Sequence, residues 1–285
     1  MSSVGSPADW VELEILAGGQ VGDVRRVRTP VGDAVLKRKE GAPEGFHALE
    51  AAGLDALRAA GGPRVPRVLA VDAQYLLLEY LSTAPPDNPE RFSRGFARDL
   101  ASVHRNPGPS FGWDTDNFLG SQVQPNRRCA DWAEFYRDRR ILPQMERADR
   151  AGRMSGARRA RLMRIVDAFP AVLADWGDPP SLIHGDLWAG NFLALPGDAV
   201  AVIDPAVHHA PREMEIAYIE LFGGFPPDFV RNYEREWPLD PGYARRRPIH
   251  WLYPLLIHLN HFGETYGPAL DAACDEAAQA WGISG

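Results

Sequence analysis

The chain has 285 residues, near two domains' worth at about 150 residues each, so a buried core and two lobes are expected. Hydrophobic residues make up 45% and charged residues 24%, ordinary globular values that exclude disorder, collagen-like repetition and a coiled coil. The net charge of −7 leaves no general basic surface for nucleic acid or an anionic membrane, so any phosphate-binding group must be local.

Two cysteines, Cys129 and Cys274, are too few to staple an exported fold and too far apart in sequence for a metal clip. The first ten residues hold no basic stretch followed by an apolar run. The densest apolar segments, 75–81 and 199–203, fall far short of the ~18 residues that span a bilayer. A cytoplasmic protein, neither exported nor embedded, is expected. Of the 31 Lys and Arg residues 29 are arginine, and the two lysines, Lys37 and Lys39, stand two positions apart. Either codon bias spared them, or a compact ammonium is needed that a planar guanidinium does not replace.

In chain order, a strand is predicted over 12–16, a glycine-rich turn over 17–23, and strands over 24–28 and 34–39 joined by a turn at 29–33. Phe46, Leu49, Leu54 and Leu57 recur at helical spacing over 45–60, and Gly61-Gly62-Pro63 stops that helix. Strands over 65–71 and 74–80 follow, and a proline-rich connector, 82–90, closes a small lobe. Helices then dominate, over 92–104, 131–148, 157–176, 212–222 and 248–263. Between the third and fourth lies a β-like island, 181–203, in which a strand feeds the loop 184–191. A hairpin of 191–195 and 199–203 then closes on Asp204-Pro205.

Asp186 and Asn191 are five apart on that loop, and Asp204 follows thirteen further on. Two acids and an amide thus converge on one hairpin. Mg²⁺ takes oxygen ligands from one or two side chains and leaves its other positions to phosphates and water. The remaining acid can orient an accepting hydroxyl, and a lysine on the nucleotide phosphates completes a set sufficient for phosphoryl transfer.

His184-Gly185-Asp186 followed by Asn191 resembles the catalytic loop of the aminoglycoside phosphotransferase branch of protein-kinase-like enzymes. The longer string from Leu182 to Asn191 is similar to the fructosamine kinase, or ketosamine-3-kinase, family, and Asp204-Pro205-Ala206 is similar to that family's version of the kinase Asp-Phe-Gly site. Phe111-Gly112-Trp113, Gln124-Pro125-Asn126, Phe222-Gly223-Gly224-Phe225 and His258-Leu259-Asn260-His261-Phe262-Gly263 match the same family, so the resemblance spans about 10–270.

The resemblance implies an α+β, two-lobed protein-kinase-like fold. A small antiparallel β lobe with one helix would occupy 1–81 and a larger, mostly helical lobe 82–285, with ATP and Mg²⁺ between them. It implies that Asp186 accepts or orients the proton of a sugar hydroxyl and that Asn191 and Asp204 hold Mg²⁺. Lys37 would contact nucleotide phosphates, held by Glu50. Gly18 and Gly19 would let the turn approach the phosphates, and the backbone of Glu79-Tyr80-Leu81 would meet adenine. The implied substrate is a ketoamine such as fructosamine or ribulosamine, free or protein-bound. It would be phosphorylated on O3 to give a product that releases its amine. A monomer is expected.

Lys39 shares the strand face of Lys37, and the choice of Lys37 rests on the family pattern. Gln20 stands where some family members carry cysteine, so redox control through that loop is not carried over. His184 is expected to orient the loop and Trp188 to line or brace the site; Trp237 and Trp251 are left to packing. Asn117, Gln124, Asn126, His258 and His261 are acceptor candidates by position and polarity. A metallohydrolase built on His184, His208 and His209 is disfavoured, and Arg245, Arg246 and Arg247 read as a solvated face. Two alternatives stay open: a kinase for another hydroxyl compound such as an aminoglycoside or choline, and a non-catalytic nucleotide-binding scaffold.

Overall fold

The structure, a computed structural model, describes residues 4–16, 22–174 and 179–283. Gly18, Gly19 and Gln20 lie outside the described residues. The chain opens with β1 (Val11–Ile15), β2 (Asp23–Thr29), β3 (Gly32–Arg38), α1 (Phe46–Ala60), β4 (Val68–Val71) and β5 (Tyr75–Glu79). The strands form one antiparallel sheet in the order β1-β2-β3-β5-β4. Thr29 ties the β2–β3 turn, its hydroxyl donating to the Gly32 carbonyl and accepting from the Val31 N–H.

Side chains alternate across the sheet, so the run Leu76-Leu77-Leu78 is buried only because both faces are covered. Leu77 joins Trp10, Val27, Ala34 and Leu36 on one face. Leu76 and Leu78 pack with Leu54 and Leu57 of α1 on the other. The predicted strand 65–71 shortens to Val68–Val71, since Pro63 and Pro66 offer no ladder donors.

The connector leaves β5 and packs Leu81 against Leu195 and Ala201. It enters α2 (Pro89–His104), capped by Asn88, whose side chain accepts from the Arg91 N–H. The larger lobe continues with the hairpin β6 (Asn117–Leu119) and β7 (Gln122–Gln124) and then α3 (Trp132–Phe135). A π-helical turn, Tyr136–Ile141, leads from α3 into α4 (Leu142–Arg150), and α5 (Gly156–Val172) follows. Next come β8 (Ser181–Ile183), the hairpin β9 (Phe192–Leu195) and β10 (Ala199–Val202), and β11 (His208–Ala210), which pairs antiparallel with β8. The chain ends in α6 (Arg212–Phe222), α7 (Phe229–Glu236), α8 (Tyr243–Phe262) and α9 (Gly267–Trp281).

One core lies among α3, α4, α5, α8 and α9. A second runs from Leu54 of α1 through Phe96 of α2 and Val202 of β10 to Ile216 of α6 and Tyr233 of α7. The small lobe's helix therefore shares a core with the large lobe. Gly53 permits that approach: a Cβ there would stand 3.2 Å from the Pro205 ring.

The expected two-lobed fold is present. The arginine run is a solvated face only in part: Arg245 is exposed, whereas the Arg246 guanidinium is buried and donates to both Glu213 oxygens at 2.9 and 3.0 Å. Arg245 and Arg247 lie over the Trp281 and Trp251 rings. No described helix is long and apolar enough to cross a membrane.

Candidate active site

Lys37 pairs with Leu76 across the sheet and therefore points to the α1 side. Its ammonium donates to Glu50 Oε1 at 2.5 Å and to Asp204 Oδ1 at 2.8 Å. Burial opposes the charge, but the Asp204 and Glu50 carboxylates outweigh it and hold Lys37 well above the usual lysine range. A cation from the sheet thus meets an acid from each lobe.

Asp204 follows β10 in the left-handed region, at φ 57°, a conformation that costs a non-glycine residue energy and that surrounding contacts must enforce. Pairing of β8 with β11 closes the loop from His184 back onto the Asp204 segment. Gly185 lies between them at φ 83°, and a Cβ there would come 2.2 Å from the Ala206 carbonyl oxygen, so only glycine fits.

Glu215 of α6 holds the loop's backbone, accepting from the Gly185 N–H at 2.7 Å, the His184 N–H at 3.1 Å and His104 Nε2 at 2.9 Å. Burial pushes this carboxyl up, yet those donors outweigh it and leave Glu215 below its ordinary value. Burial likewise lowers His184 and favours the neutral ring. Its Nε2 donates to the Ile203 carbonyl at 2.8 Å and its Nδ1 accepts from the Asp186 N–H at 3.3 Å.

Asp186 Oδ1 accepts from the Tyr218 hydroxyl at 2.6 Å, and Oδ2 accepts from Asn191 Nδ2 at 3.1 Å. Burial pushes Asp186 up to about 7, against the pull of these two donors. Asn191 Nδ2 also donates to the Asp186 carbonyl at 2.7 Å, which leaves Asn191 Oδ1 without a donor among the described residues. Asp204 Oδ2 is likewise without one. Two available side-chain oxygens suit Mg²⁺, which needs few protein ligands. Among the described residues no cluster of three or more His, Cys, Asp and Glu could hold a metal, which leaves His184, His208 and His209 without a metal-site geometry.

These groups open on a cavity of about 500 Å³ between the lobes. Lys37, Glu50, Asp186, Asn191 and Asp204 line it. So do Asn117, Trp188, His258 and His261, with Tyr218, Phe222, Phe262 and Tyr266. Trp188 braces the loop as well, since a Cβ on Gly190 would stand 2.3 Å from its ring.

Gln124 and Asn126 are fully buried behind this wall. The Gln124 amide donates to Asn117 Oδ1 at 2.8 Å and to the Ala206 carbonyl at 3.1 Å, and the Tyr253 hydroxyl donates to Gln124 at 3.0 Å. Asn126 donates to Asn117 Oδ1 at 2.9 Å and accepts from Arg140 Nη2 at 2.7 Å. Arg140, in the π-helical turn, is fully buried and faces carbonyls and the Phe135 and Tyr253 rings. Burial pulls its guanidinium down to about 10, so it stays charged at neutral pH.

Glu79, Tyr80 and Leu81 lie outside this cavity. The Glu79 carboxylate accepts from Arg64 at 2.7 Å and from the Arg67 N–H at 3.2 Å, and the Arg26 guanidinium lies over the Tyr80 ring.

Glu215 and Tyr218 are absent from the sequence reading. Their signal is a Glu and a Tyr three residues apart on the helix after the Asp204 strand, a spacing that puts both on one face.

A family model described as fructosamine kinase matches residues 2–279. The chain belongs to the fructosamine kinase family. A probable ketoamine kinase of Enterococcus faecium is 36% identical over 261 residues, covering 90% of this chain and 91% of that protein. A crystal structure from Thermobifida fusca that bears the name fructosamine-3-kinase superposes with TM-score 0.86 at 34% identity, covering 95% and 94% of the two chains. Aminoglycoside phosphotransferase APH(4)-Ia, at TM-score 0.64 and 16% identity over 96% and 95% of the chains, shares the fold. As a fructosamine kinase family member, this chain is a small-molecule kinase.

Proposed function

We propose that the protein transfers the γ-phosphoryl group of ATP to O3 of a ketoamine such as fructosamine or ribulosamine. Residues 1–81 would bind the nucleotide, with adenine at the Glu79–Leu81 backbone, and 82–285 the acceptor. Asp186 takes the O3 proton as that oxygen bonds to phosphorus and the bond to the departing ADP breaks. Pushed up to about 7 by burial, its carboxyl is a base matched to neutral conditions. Lys37 neutralises the nucleotide phosphates, positioned by Glu50. Asn191 and Asp204 would hold Mg²⁺, which supplies charge neutralisation at the transferring group.

The character of the acceptor wall carries the substrate assignment. Phe222, His258, Phe262 and Tyr266 bring no carboxylate, and the only acids lining the cavity among the described residues are Glu50, Asp186 and Asp204. A polycationic aminoglycoside would need acids on that wall; a ketoamine, with one amine, does not. The 3-phosphorylated product then expels its amine, which amounts to deglycation. ADP release measured across ketoamines, aminoglycosides and amino alcohols tests this reading. Turnover confined to ketoamines supports it, and phosphorylation of aminoglycosides without ketoamines overturns it.

A further inference from the structure

Lys39 is a cleft cation that the reaction as described does not use. We propose that it recognises an anionic substituent on the acceptor, the carboxylate of a ketoamine formed on a free amino acid. The inference rests on the ketoamine reading and extends it to the amine half of the substrate.

Lys39, the first residue after β3 ends at Arg38, lines the same cavity as Lys37. The two lysines differ in their company. Lys37 has two carboxylate partners at 2.5 and 2.8 Å, whereas Lys39 forms no ion pair among the described residues. Burial lowers the Lys39 pKa, and its charge in turn adds to the burial that lowers His47 and His261, which line the same cavity. The ammonium rests 4.4 Å from the centre of the Phe46 ring, a contact that orients a cation without neutralising it. Partly exposed and without a carboxylate partner among the described residues, this ammonium is available to an incoming anion.

Its surroundings say which end of the cleft that anion occupies. Phe46 packs at 5.0 Å on Phe118 of the β6–β7 hairpin. Gln122 of that hairpin holds His261 at 2.7 Å. Phe118 and His261 both line the acceptor wall, whereas Glu79–Leu81 do not reach this cavity. Of the acids that line the cavity, Glu50 and Asp204 are engaged by Lys37. Arg38 beside it pairs with Glu12 instead. An oxyanion entering past Phe46 therefore meets one unsatisfied ammonium. The terminal phosphate of the nucleotide offers the same chemistry from another source, and the two are separable.

The test compares kcat/KM for the fructose adducts of glycine and of glycinamide, which differ only in the carboxylate. Wild type should favour the glycine adduct, and Lys39→Met should lower that ratio about ten-fold, through the KM of the acceptor, while Lys39→Arg retains it. An unchanged ratio in Lys39→Met, or a rise in the KM for ATP alone, overturns the proposal. Benzoate titrated calorimetrically provides a readout independent of turnover. Binding to wild type that is lost in Lys39→Met supports the site, and equal binding to both proteins overturns it. If wild type phosphorylates neither adduct, the ketoamine reading fails, and the benzoate comparison still decides whether Lys39 binds a carboxylate.

Discussion

The Tyr218 hydroxyl donates to Asp186 Oδ1 at 2.6 Å, and Glu215, three residues earlier on the same helix, accepts from the Gly185 N–H at 2.7 Å. One helix therefore fixes both the backbone of the loop and the carboxylate that the loop presents. In Tyr218→Phe the ring still fills its place but the hydroxyl is gone. A hydrogen bond to a charged group contributes about 1.5–3 kcal/mol, and 1.4 kcal/mol is ten-fold in rate. A drop in kcat of about ten-fold or more, with the KM for ATP little changed, is expected in steady-state assays.

Asp186→Asn keeps the shape and removes the carboxylate proposed as the base. Loss of a general base costs about 10²–10⁴-fold, so turnover should fall in that range while calorimetry shows nucleotide affinity within a few-fold of wild type. Full activity in this variant would remove Asp186 from the role proposed for it.

Gly185→Ala places a methyl group 2.2 Å from the Ala206 oxygen at a φ of 83°. Either the loop or the Asp204 segment must shift. An order of 2–4 kcal/mol of stability should be lost, seen as a lower unfolding midpoint, and residual activity should be small even where the protein stays folded.

The pH dependence of stability isolates Glu215. Its folded pKa lies below the ordinary value because the donors from His104, His184 and Gly185 outweigh burial. The stabilisation is therefore complete above the unfolded glutamate pKa of about 4.3 and is lost as pH falls through the lower folded value. Chemical denaturation between about pH 5 and pH 3 should show wild type losing more stability than Glu215→Gln. Parallel losses in the two proteins would contradict this account.

Gln124→Leu tests the buried amide network. It takes one partner each from Asn117 Oδ1 and the Ala206 carbonyl, which keep Asn126 and His208, and leaves the Tyr253 hydroxyl without its acceptor, at about 1–3 kcal/mol for that buried group. Thermal unfolding should report a fall of several degrees.

The sequence pattern made much of this visible. Period-2 alternation and glycine turns revealed the antiparallel start, and the order His184-Gly185-Asp186, Asn191, Asp204 marked the loop and its hairpin. What stayed hidden has physical reasons. The inner face of α9 is Gly267, Ala273, Cys274 and Ala277 around Leu270, small residues that give little hydrophobic contrast. The eight residues of α7 include two arginines and two glutamates around Phe229 and Tyr233, so a short helix looks like a polar loop. In α8, Pro248 lies inside the helix rather than at its start. Glu215 and Tyr218 are absent from the sequence reading because the loop groups they hold are about thirty positions earlier. Gln124 and Asn126 attracted attention as polar residues near an acceptor, but an amide is equally suited to bridging buried carbonyls and side chains, and only three-dimensional packing separates the two uses.

Arg140 has a consequence for conditions far from neutral. It is anchored by main-chain oxygens, an amide and two aromatic faces, none of which titrates in mild acid. Acidification that loosens the carboxylate clasps elsewhere should spare this strut. The ground beneath Asn117 would then outlast the loop it supports, and activity would be lost in acid before the contour of the cleft.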